Sequence, residues 1–261
     1  MVDFKRKERE YLQLLSIMQK ENRKYQQEIK ARDEFLSLAS HELKTPLSSL
    51  LLQLQTALHN IRNVSLANFS VENLLKMLQS AEQQSVRLSK MINDLLNTSL
   101  ITTGRLELER EPVDLSTLVQ DVIDQFAAKE KDGARITLTA AKNVVGEWDK
   151  LRIEQVVTNL LSNAIKYGDD KPIEVTVSKH DAHARLSVTD HGIGIPKEQQ
   201  EKIFEKFKRG VSNHDYQGLG VGLYITAQIV KVHEGKITVR SKQNHGSTFT
   251  VELPLKNEKK K

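Results

Sequence analysis

Two asparagines and a lysine lie on one face of a predicted helix in the second half of the chain. Asn159, Asn163 and Lys166 are spaced by four and three residues, which places them on successive turns of that face. Asparagine oxygens can bind a hard cation such as Mg²⁺, and a lysine can neutralise phosphate oxygens. The face suits a magnesium–nucleotide complex, whereas a solvated polar face is the simpler interpretation of this segment alone.

A predicted strand that ends in an aspartate opens into a glycine-rich turn. Asp190, Gly192 and Gly194 directly follow the alternating residues 184–189. A carboxylate fixed at a strand end can accept hydrogen bonds from the amino group of a purine, and the glycines let backbone approach the ring closely. A plain turn closed by the aspartate side chain remains the alternative for this motif in isolation.

A second glycine-rich segment, Gly218 to Gly222, precedes an apolar helix. Backbone amides at a helix N-terminus, together with the helix dipole, favour an anion. The segment is not a dinucleotide fingerprint, because no strand directly precedes it, and it lacks the Gly-Lys-Ser/Thr ending of a P-loop. Upstream, Phe204 and Phe207 could anchor a mobile segment, and Lys208 and Arg209 could reach a terminal phosphate.

The distribution of glycines divides the chain into two parts, and the residues described so far are positioned by the helices and strands of the second part. No glycine occurs in residues 1–100, whereas all twelve lie between Gly104 and Gly246. We therefore expect a long helical part followed by a compact α/β part. The predicted helices of the second part cover residues 115–129, 151–166 and 219–234, and its predicted strands cover 135–140, 173–178, 184–190, 236–241 and 247–253.

The helical part shows a heptad pattern over residues 4–43 that predicts a parallel two-stranded coiled coil, with Asn22 at a buried a position. A long amphipathic helix packed on another domain is the alternative. In this register His41 falls at the solvent-facing f position. We expect Pro46 to kink the helix just after His41, because proline lacks an amide hydrogen and clashes with the preceding turn. A second predicted helix follows the polar residues 62–70, so two chains would form a four-helix bundle.

Composition excludes several classes of protein. The chain has no cysteine, which rules out disulfides, thiolate metal sites and a cysteine nucleophile. Its apolar runs are too short for a membrane span, and its first 30 residues are too charged for a secretory signal. The formal net charge of +5 comes from interleaved charges, and the basic run at 256–261 is interpreted as a solvated tail.

Taken in order, these motifs resemble the catalytic part of a sensor histidine kinase of two-component signalling over residues 34–254. The segment from Phe35 to Leu47 is similar to the family's H-box, Asn159 to Tyr167 to its N-box and Asp190 to Gly194 to its G1 box. Phe204 to Phe207 is similar to the F-box, and Gly218 to Gly222 to the G2 box. The resemblance implies an ATP-binding domain of the type shared with DNA gyrase.

The resemblance also implies roles for individual residues. His41 would accept the phosphoryl group, Glu42 would hold and polarise its ring, and Thr45 would orient water when a partner is dephosphorylated. An imidazole that is largely neutral at cell pH can attack with one nitrogen while a carboxylate binds the hydrogen of the other. ATP and Mg²⁺ are the implied cofactors. The implied nucleotide-binding residues are Asn159 and Asn163, both as Mg²⁺ ligands, with Lys166, Tyr167, Asp190, Gly192, Gly194, Arg209, Gly218, Gly220 and Gly222.

The resulting prediction is an α+β chain: an N-terminal helical hairpin that forms a dimeric four-helix bundle, followed by an α/β sandwich that binds ATP. Its implied activity is ATP-dependent phosphorylation of His41, transfer to an aspartate of a response regulator, and phosphatase activity toward that regulator. The implied partners are a second copy and the regulator's receiver domain, with no nucleic acid. The predicted parts are a signalling helix (1–33), a dimerisation and phosphotransfer domain (34–103), a linker (104–112), a catalytic domain (113–256) and a basic tail (257–261).

The resemblance implies a cytoplasmic location, either as a whole kinase or as part of a membrane-anchored bacterial sensor whose membrane segments lie upstream. Three other functions stay open at this point. A dimeric scaffold would bind Mg·ATP without forming phosphohistidine. An ATP-driven clamp related to topoisomerases would need no H-box and would turn over ATP in response to DNA. A chain of the same fold could also act mainly as a phosphatase.

Overall fold

The fold is described from a computed structural model over residues 2–63, 70–129, 136–206 and 219–256. The chain divides into two compact units, Met1–Met91 and Ile92–Lys261. In chain order the elements are α1 (Val2–Asn63), α2 (Val71–Thr102), β1 (Glu111–Asp114), α3 (Leu115–Lys129), β2 (Ile136–Ala140), β3 (Val145–Trp148), α4 (Lys150–Tyr167), β4 (Ile173–His180), β5 (His183–Asp190), α5 (Gly222–Val232), β6 (Lys236–Lys242) and β7 (Gly246–Pro254).

The first unit contains an antiparallel helical hairpin, as predicted. Contacts between α1 and α2 run in opposite directions along the two helices. The Gln53 Nε2 atom donates to Ser80 Oγ at 2.7 Å, and Asn60 Nδ2 lies 3.9 Å from Met77 Sδ. Pro46 does not end α1, because the helix continues to Asn63. The expected kink there stays a prediction.

A regular stripe of large apolar side chains on α1 is uncovered in the single chain. Leucine and isoleucine recur along α1 at the alternating spacing of four and three that is typical of helix–helix interfaces. Between 40% and 55% of each side chain is exposed at Leu47, Leu51, Leu54, Leu58 and Ile61. Upstream, Met18 and Tyr25, which stand seven residues apart in the predicted heptad pattern, are also exposed.

The second unit is built on a five-stranded mixed sheet with the order β2-β4-β5-β7-β6. Strand β2 pairs with β4 in parallel, and the other neighbours pair antiparallel. Alternate residues of the central strands are buried, so one face of the sheet forms the core with α3, α4 and α5. The largest members of this core include Ile153, Leu160, Leu161, Ile173, Leu186, Ile229 and Leu253. The predicted fold class is confirmed.

Two short strands were missing from the sequence-based prediction. Strands β1 and β3 pair antiparallel, so that Glu111 faces Trp148. Strand β1 begins inside the segment predicted as a linker. Helix α5 begins at Gly222 rather than at residue 219, because Gly220 has a φ of +66°, which a right-handed helix does not accommodate.

A buried histidine joins the start of α4 to the end of α5. His233 is fully buried, its Nδ1 donates to Ile229 O at 2.8 Å, and its Nε2 accepts from the Asp149 amide at 3.0 Å. Asp149 in turn caps α4, since its Oδ1 accepts from the Arg152 amide at 3.0 Å. Burial lowers the pKa of His233, and the nearby Arg110 guanidinium acts in the same direction. The ring is therefore neutral in the folded chain at pH 7.

We expect the second unit to lose stability as the pH falls below the ordinary histidine pKa of about 6.5, because the unfolded chain then binds a proton that folded His233 excludes. The free energy of unfolding should fall by up to about 1.4 kcal/mol per pH unit through this group. Denaturant unfolding between pH 5 and 8, followed by fluorescence of the single tryptophan, buried Trp148, measures the slope. A His233→Gln variant with an unchanged slope would contradict this assignment.

Candidate functional site

The first part of the site is the face of α4 that meets the start of α5. Asn159 is half-buried, and its Nδ2 donates to the hydroxyl of Thr226 on α5 at 2.7 Å. Gly222 approaches the same side chain so closely that a Cβ atom there would lie 2.5 Å from Asn159 Oδ1. A side chain at Gly222 would therefore displace the Asn159 amide.

Further along α4, the other predicted residues follow on the next turns. Asn163 is half-buried, and Lys166 is exposed with its Nζ 5.1 Å from the centre of the Tyr167 ring. That distance is within the range of a cation–π contact. The helical spacing predicted from the sequence is therefore present, with Asn159 deeper in the fold than Lys166.

Asp190 ends strand β5 and is buried, with 5% of its surface exposed. Its Oδ1 accepts from the Gly192 amide at 3.0 Å, and the Ser247 backbone amide of β7 also donates to the carboxylate. Burial raises the pKa of Asp190 above its usual value, and these two hydrogen bonds oppose the rise. The carboxyl group is a buried, oriented hydrogen-bonding group of the kind that recognises a ligand.

The turn after Asp190 is tied to the end of α4. The Ile193 amide donates to Tyr167 O at 3.2 Å, and a Cβ atom at Gly192 would collide with the same carbonyl. Gly192 is therefore required by this close approach. Since both contacts involve Tyr167, the loop of Asp190 and the asparagine face of α4 are held in one arrangement.

The far side of this turn is tied to strand β6. The Ile195 amide donates to Ser241 Oγ at 2.7 Å, and Gln200 Nε2 donates to Ser241 O at 2.9 Å. Gly194 has a φ of +64°, the left-handed region that favours glycine. Nothing in the local sequence pattern around Ser241 or Thr226 marks either as part of the site, because both are reached only through tertiary contacts.

The resemblance to histidine kinases also implies a lid over the nucleotide at residues 208–217, and the segment around it is only partly described. Phe204 packs edge-on against Phe249 of β7 with ring centres 6.4 Å apart, so this phenylalanine belongs to the core side of the sheet. Gly220 and Gly222 lead into α5. The structure does not describe residues 207–218. These include Phe207, Lys208, Arg209, Gly218 and the implied lid.

The second candidate site lies on α1, in the other unit. His41 is exposed, while the next residue, Glu42, has only 15% of its side chain exposed. The Glu42 Oε2 atom lies 3.9 Å from the Arg87 guanidinium of α2, and the Thr45 hydroxyl donates to His41 O at 3.1 Å. An exposed histidine is thus followed in the chain by a glutamate whose carboxylate faces the second helix of the hairpin.

The donor set of the α4 face fits a magnesium ion that is bound together with a nucleotide. Among the described residues no three His, Cys, Asp or Glu side chains cluster closely enough to hold a metal on their own. The hydrogen bond to Thr226 occupies Asn159 Nδ2 and leaves Oδ1 available as a ligand. Mg²⁺ commonly takes few protein oxygens and completes its coordination with water and phosphate.

Comparison with known proteins agrees with this division. Residues 31–104 match the family model "His Kinase A (phospho-acceptor) domain", and residues 148–257 match "Histidine kinase-, DNA gyrase B-, and HSP90-like ATPase". Together the two models cover more than half of the chain. In the part of the chain that the structure describes, no helix has the length and apolarity needed to cross a membrane.

Individual relatives support the same family. The signal transduction histidine-protein kinase BarA of Escherichia coli K12 is 31% identical over 242 residues, covering 88% of this chain and 25% of BarA. The structure of the Acinetobacter baumannii histidine kinase AdeS superposes with a TM-score of 0.64 at 26% identity, over 83% of this chain and 98% of that one. A structure of the histidine kinase ThkA with the response regulator protein TrrA gives a TM-score of 0.62 at 25% identity, over 87% and 63%.

The fold and the site define a protein of two parts: a helical hairpin that matches a phospho-acceptor domain, followed by an ATPase fold with an asparagine face and a buried aspartate. The chain belongs to the histidine kinases of two-component signal transduction, and the resemblance inferred from the motifs is confirmed. Its second unit is an ATP-binding domain of that family. The chain spans about a quarter of the length of BarA.

Proposed function

We propose that this chain is a Mg²⁺-dependent protein-histidine kinase that phosphorylates His41 and passes the phosphoryl group to an aspartate of a response regulator. The observation that carries the proposal is the exposed imidazole of His41, followed in the chain by the half-buried carboxylate of Glu42, in a chain whose other unit holds the ATP-binding site. The nitrogen–phosphorus bond would form as the bond between the β-phosphate oxygen and the γ-phosphorus breaks, and ADP would leave. Glu42 would bind the hydrogen on the other ring nitrogen.

In the nucleotide site each residue has a separate task. Asp190 would accept hydrogen bonds from the adenine amino group, and the Gly192 and Gly194 backbone would lie against the ring. Tyr167 would line the nucleotide, and Lys166 and Arg209 would neutralise its phosphates. The loop of Gly218, Gly220 and Gly222 would form the edge of the lid. These tasks are supported by the burial of Asp190 and by the tethering of its loop to Tyr167.

Asn159 and Asn163 would hold Mg²⁺ through their side-chain oxygens. When bound, the ion neutralises charge on the phosphate oxygens and keeps the terminal phosphate in one geometry. The protein's own contribution is to place these amide oxygens, and the contacts of Asn159 with Gly222 and Thr226 support that role.

The proposed active form is a homodimer. The uncovered leucine and isoleucine stripe of α1, from Leu47 to Ile61, has the spacing of a helix–helix interface, and pairing two hairpins would bury it in a four-helix bundle. The exposed heptad positions of residues 1–33 would continue that contact as a signalling coiled coil. The rest of the proposed organisation is a dimerisation and phosphotransfer domain (34–103), a linker (104–112), a catalytic domain (113–256) and a basic tail (257–261). The proposed location is the cytoplasm, either as a whole kinase or as the cytoplasmic part of a membrane-anchored one.

The proposed partner is the receiver domain of a response regulator. It is supported by the ThkA structure, which contains a response regulator protein. Phosphatase activity toward the same regulator is a second output, favoured by the exposed Thr45 hydroxyl one turn after His41. In that reaction Thr45 would orient the attacking water.

Phosphotransfer tests the proposed function. The chain is incubated with γ-labelled ATP and Mg²⁺, freed of nucleotide, and then mixed with purified receiver domains. Label should enter the chain only when Mg²⁺ is present and should move to a receiver that has its aspartate, and not to an Asp→Asn receiver. A chain that binds Mg·ATP but never becomes labelled would favour the scaffold instead, and DNA-stimulated ATP turnover would favour the clamp.

A further inference from the structure

Thr226 is a buried polar residue in the apolar helix α5. Only 1% of its surface is exposed, and its hydroxyl is 2.7 Å from Asn159 Nδ2. Gly222, one turn earlier on the same face of α5, lies against the other end of the same amide. The Asn159 side chain is therefore held between two positions of α5, with Gly222 next to Oδ1 and Thr226 bonded to Nδ2.

The two ends of an asparagine amide have nearly the same shape but opposite polarity. Only the oxygen end can bind a cation, because the nitrogen end carries two hydrogens and no free lone pair. Without a partner for Nδ2, rotation of the amide by half a turn would cost little and would present hydrogens to the metal. In the structure the Thr226 hydroxyl accepts from Nδ2, and this arrangement leaves Oδ1 as the free end of Asn159.

A valine has nearly the same shape as a threonine and would fill the same space in α5 without a buried polar group. The hydroxyl is useful there only if it has a hydrogen-bonding partner. Its partner in the structure is the asparagine of the nucleotide site, on a different helix and 67 residues away in the chain. Thr226 thus has a link to the site that ordinary helix packing does not require.

We propose that Thr226 is a positioning residue for metal binding: its hydroxyl holds Asn159 Nδ2 so that Oδ1 faces Mg²⁺·ATP. The inference rests on the proposed function, in which Asn159 is a Mg²⁺ ligand. Groups that orient a metal ligand commonly contribute about 10- to 100-fold to metal affinity. Thr226 should therefore affect the Mg²⁺ dependence of ATP binding rather than nucleotide binding without metal.

The test uses the whole chain and a fluorescent ATP analogue, titrated over a series of Mg²⁺ concentrations and in EDTA. Thr226→Val removes the hydrogen bond and keeps the volume, and Thr226→Ser keeps the hydroxyl. For Thr226→Val the Mg²⁺ concentration at half-saturation should rise by about 10-fold or more, with analogue binding in EDTA unchanged. For Thr226→Ser the Mg²⁺ concentration at half-saturation should stay within about twofold of the wild-type value, because serine keeps the hydroxyl that orients Asn159. A second readout, which does not depend on activity, is the binding of Mn²⁺ by the complex of the chain with nucleotide. It is measured from the electron paramagnetic resonance signal of the Mn²⁺ that stays free.

Two outcomes would overturn the proposal. Equal weakening of analogue binding with and without Mg²⁺ would mean that the hydroxyl supports the fold of the pocket in general, and an unchanged Mg²⁺ dependence would mean that it has no positioning role. If Thr226→Val does not fold, as judged by its thermal transition, Thr226→Ala replaces it. Asn159→Ala in the same assay distinguishes failure of the Thr226 proposal from failure of the proposed function. If Asn159→Ala does not change the Mg²⁺ dependence of analogue binding, Asn159 is not a Mg²⁺ ligand. If Asn159→Ala changes the Mg²⁺ dependence and Thr226→Val does not, only the positioning role of Thr226 is overturned.

Discussion

Replacement of Asp190 by Asn is expected to weaken ATP binding by about 100-fold, which corresponds to about 3 kcal/mol. The carboxylate is proposed to accept from the adenine amino group while its Oδ1 accepts from the Gly192 amide. An asparagine has only one accepting oxygen, so its NH₂ group would face either the adenine amino group or a backbone amide. Isothermal titration of the whole chain with Mg·ATP measures the loss.

The matched control is Asp181→Asn, which makes the same chemical change at the exposed turn between β4 and β5. Its φ of +50° suits asparagine as well as aspartate. ATP affinity should be unchanged in this variant. The adenine-binding role would be contradicted if Asp190→Asn still binds ATP within about threefold of the wild type. A loss that small is well below the one expected for an unpaired buried group.

Stability provides a second criterion for Asp190. Burial raises the pKa of its carboxyl, so ionising Asp190 lowers the free energy of unfolding. This loss of stability develops as the pH rises from the ordinary aspartate pKa through the raised one. Asp190→Asn removes this loss, and with the asparagine oxygen turned to the backbone amides of Gly192 and Ser247 and its NH₂ group turned to the adenine site, the melting temperature at pH 7 should equal or exceed that of the wild type. A fall in both melting temperature and ATP affinity would instead mark Asp190 as a structural residue.

The second large effect is expected at His41. His41→Gln should abolish phosphorylation of the chain, because glutamine offers no ring nitrogen that can attack phosphorus. ATP affinity should stay the same, since Asp190 and the asparagine face belong to the other unit. His59→Gln is the matched control: His59 is also exposed on α1, on the same face about five turns further along. That variant should be labelled like the wild type.

Much of the fold could be predicted from the sequence because its elements follow regular patterns. Strands β4, β5 and β7 alternate buried residues with more exposed ones, β6 alternates half-buried and exposed residues, and α4 carries a clear polar face. Strands β1 and β3 escaped prediction because each has only four residues, too few for a period to be visible. Pro112 also argues against a strand unless that strand lies at an edge, and β1 pairs on one side only.

The parts of the site that could not be predicted depend on contacts between distant residues. Asn159 and Asp190 are evident from their motifs, but Thr226 and Ser247 enter the site only because α5 and β7 pack beside those residues. His233 similarly looks like any other histidine in the sequence. Its neutral, doubly hydrogen-bonded state follows from burial between Ile229 and Asp149.

The most direct test of the central claim is the chemical identity of the label that γ-labelled ATP leaves on the chain. A phosphoramidate on histidine is lost in acid and survives alkali, unlike the esters of serine and threonine. We predict label with this behaviour, located on the peptide that contains His41, present in His59→Gln and missing in His41→Gln. Acid-stable label, or label that persists in His41→Gln, would contradict the assignment of His41 as the phosphoryl acceptor.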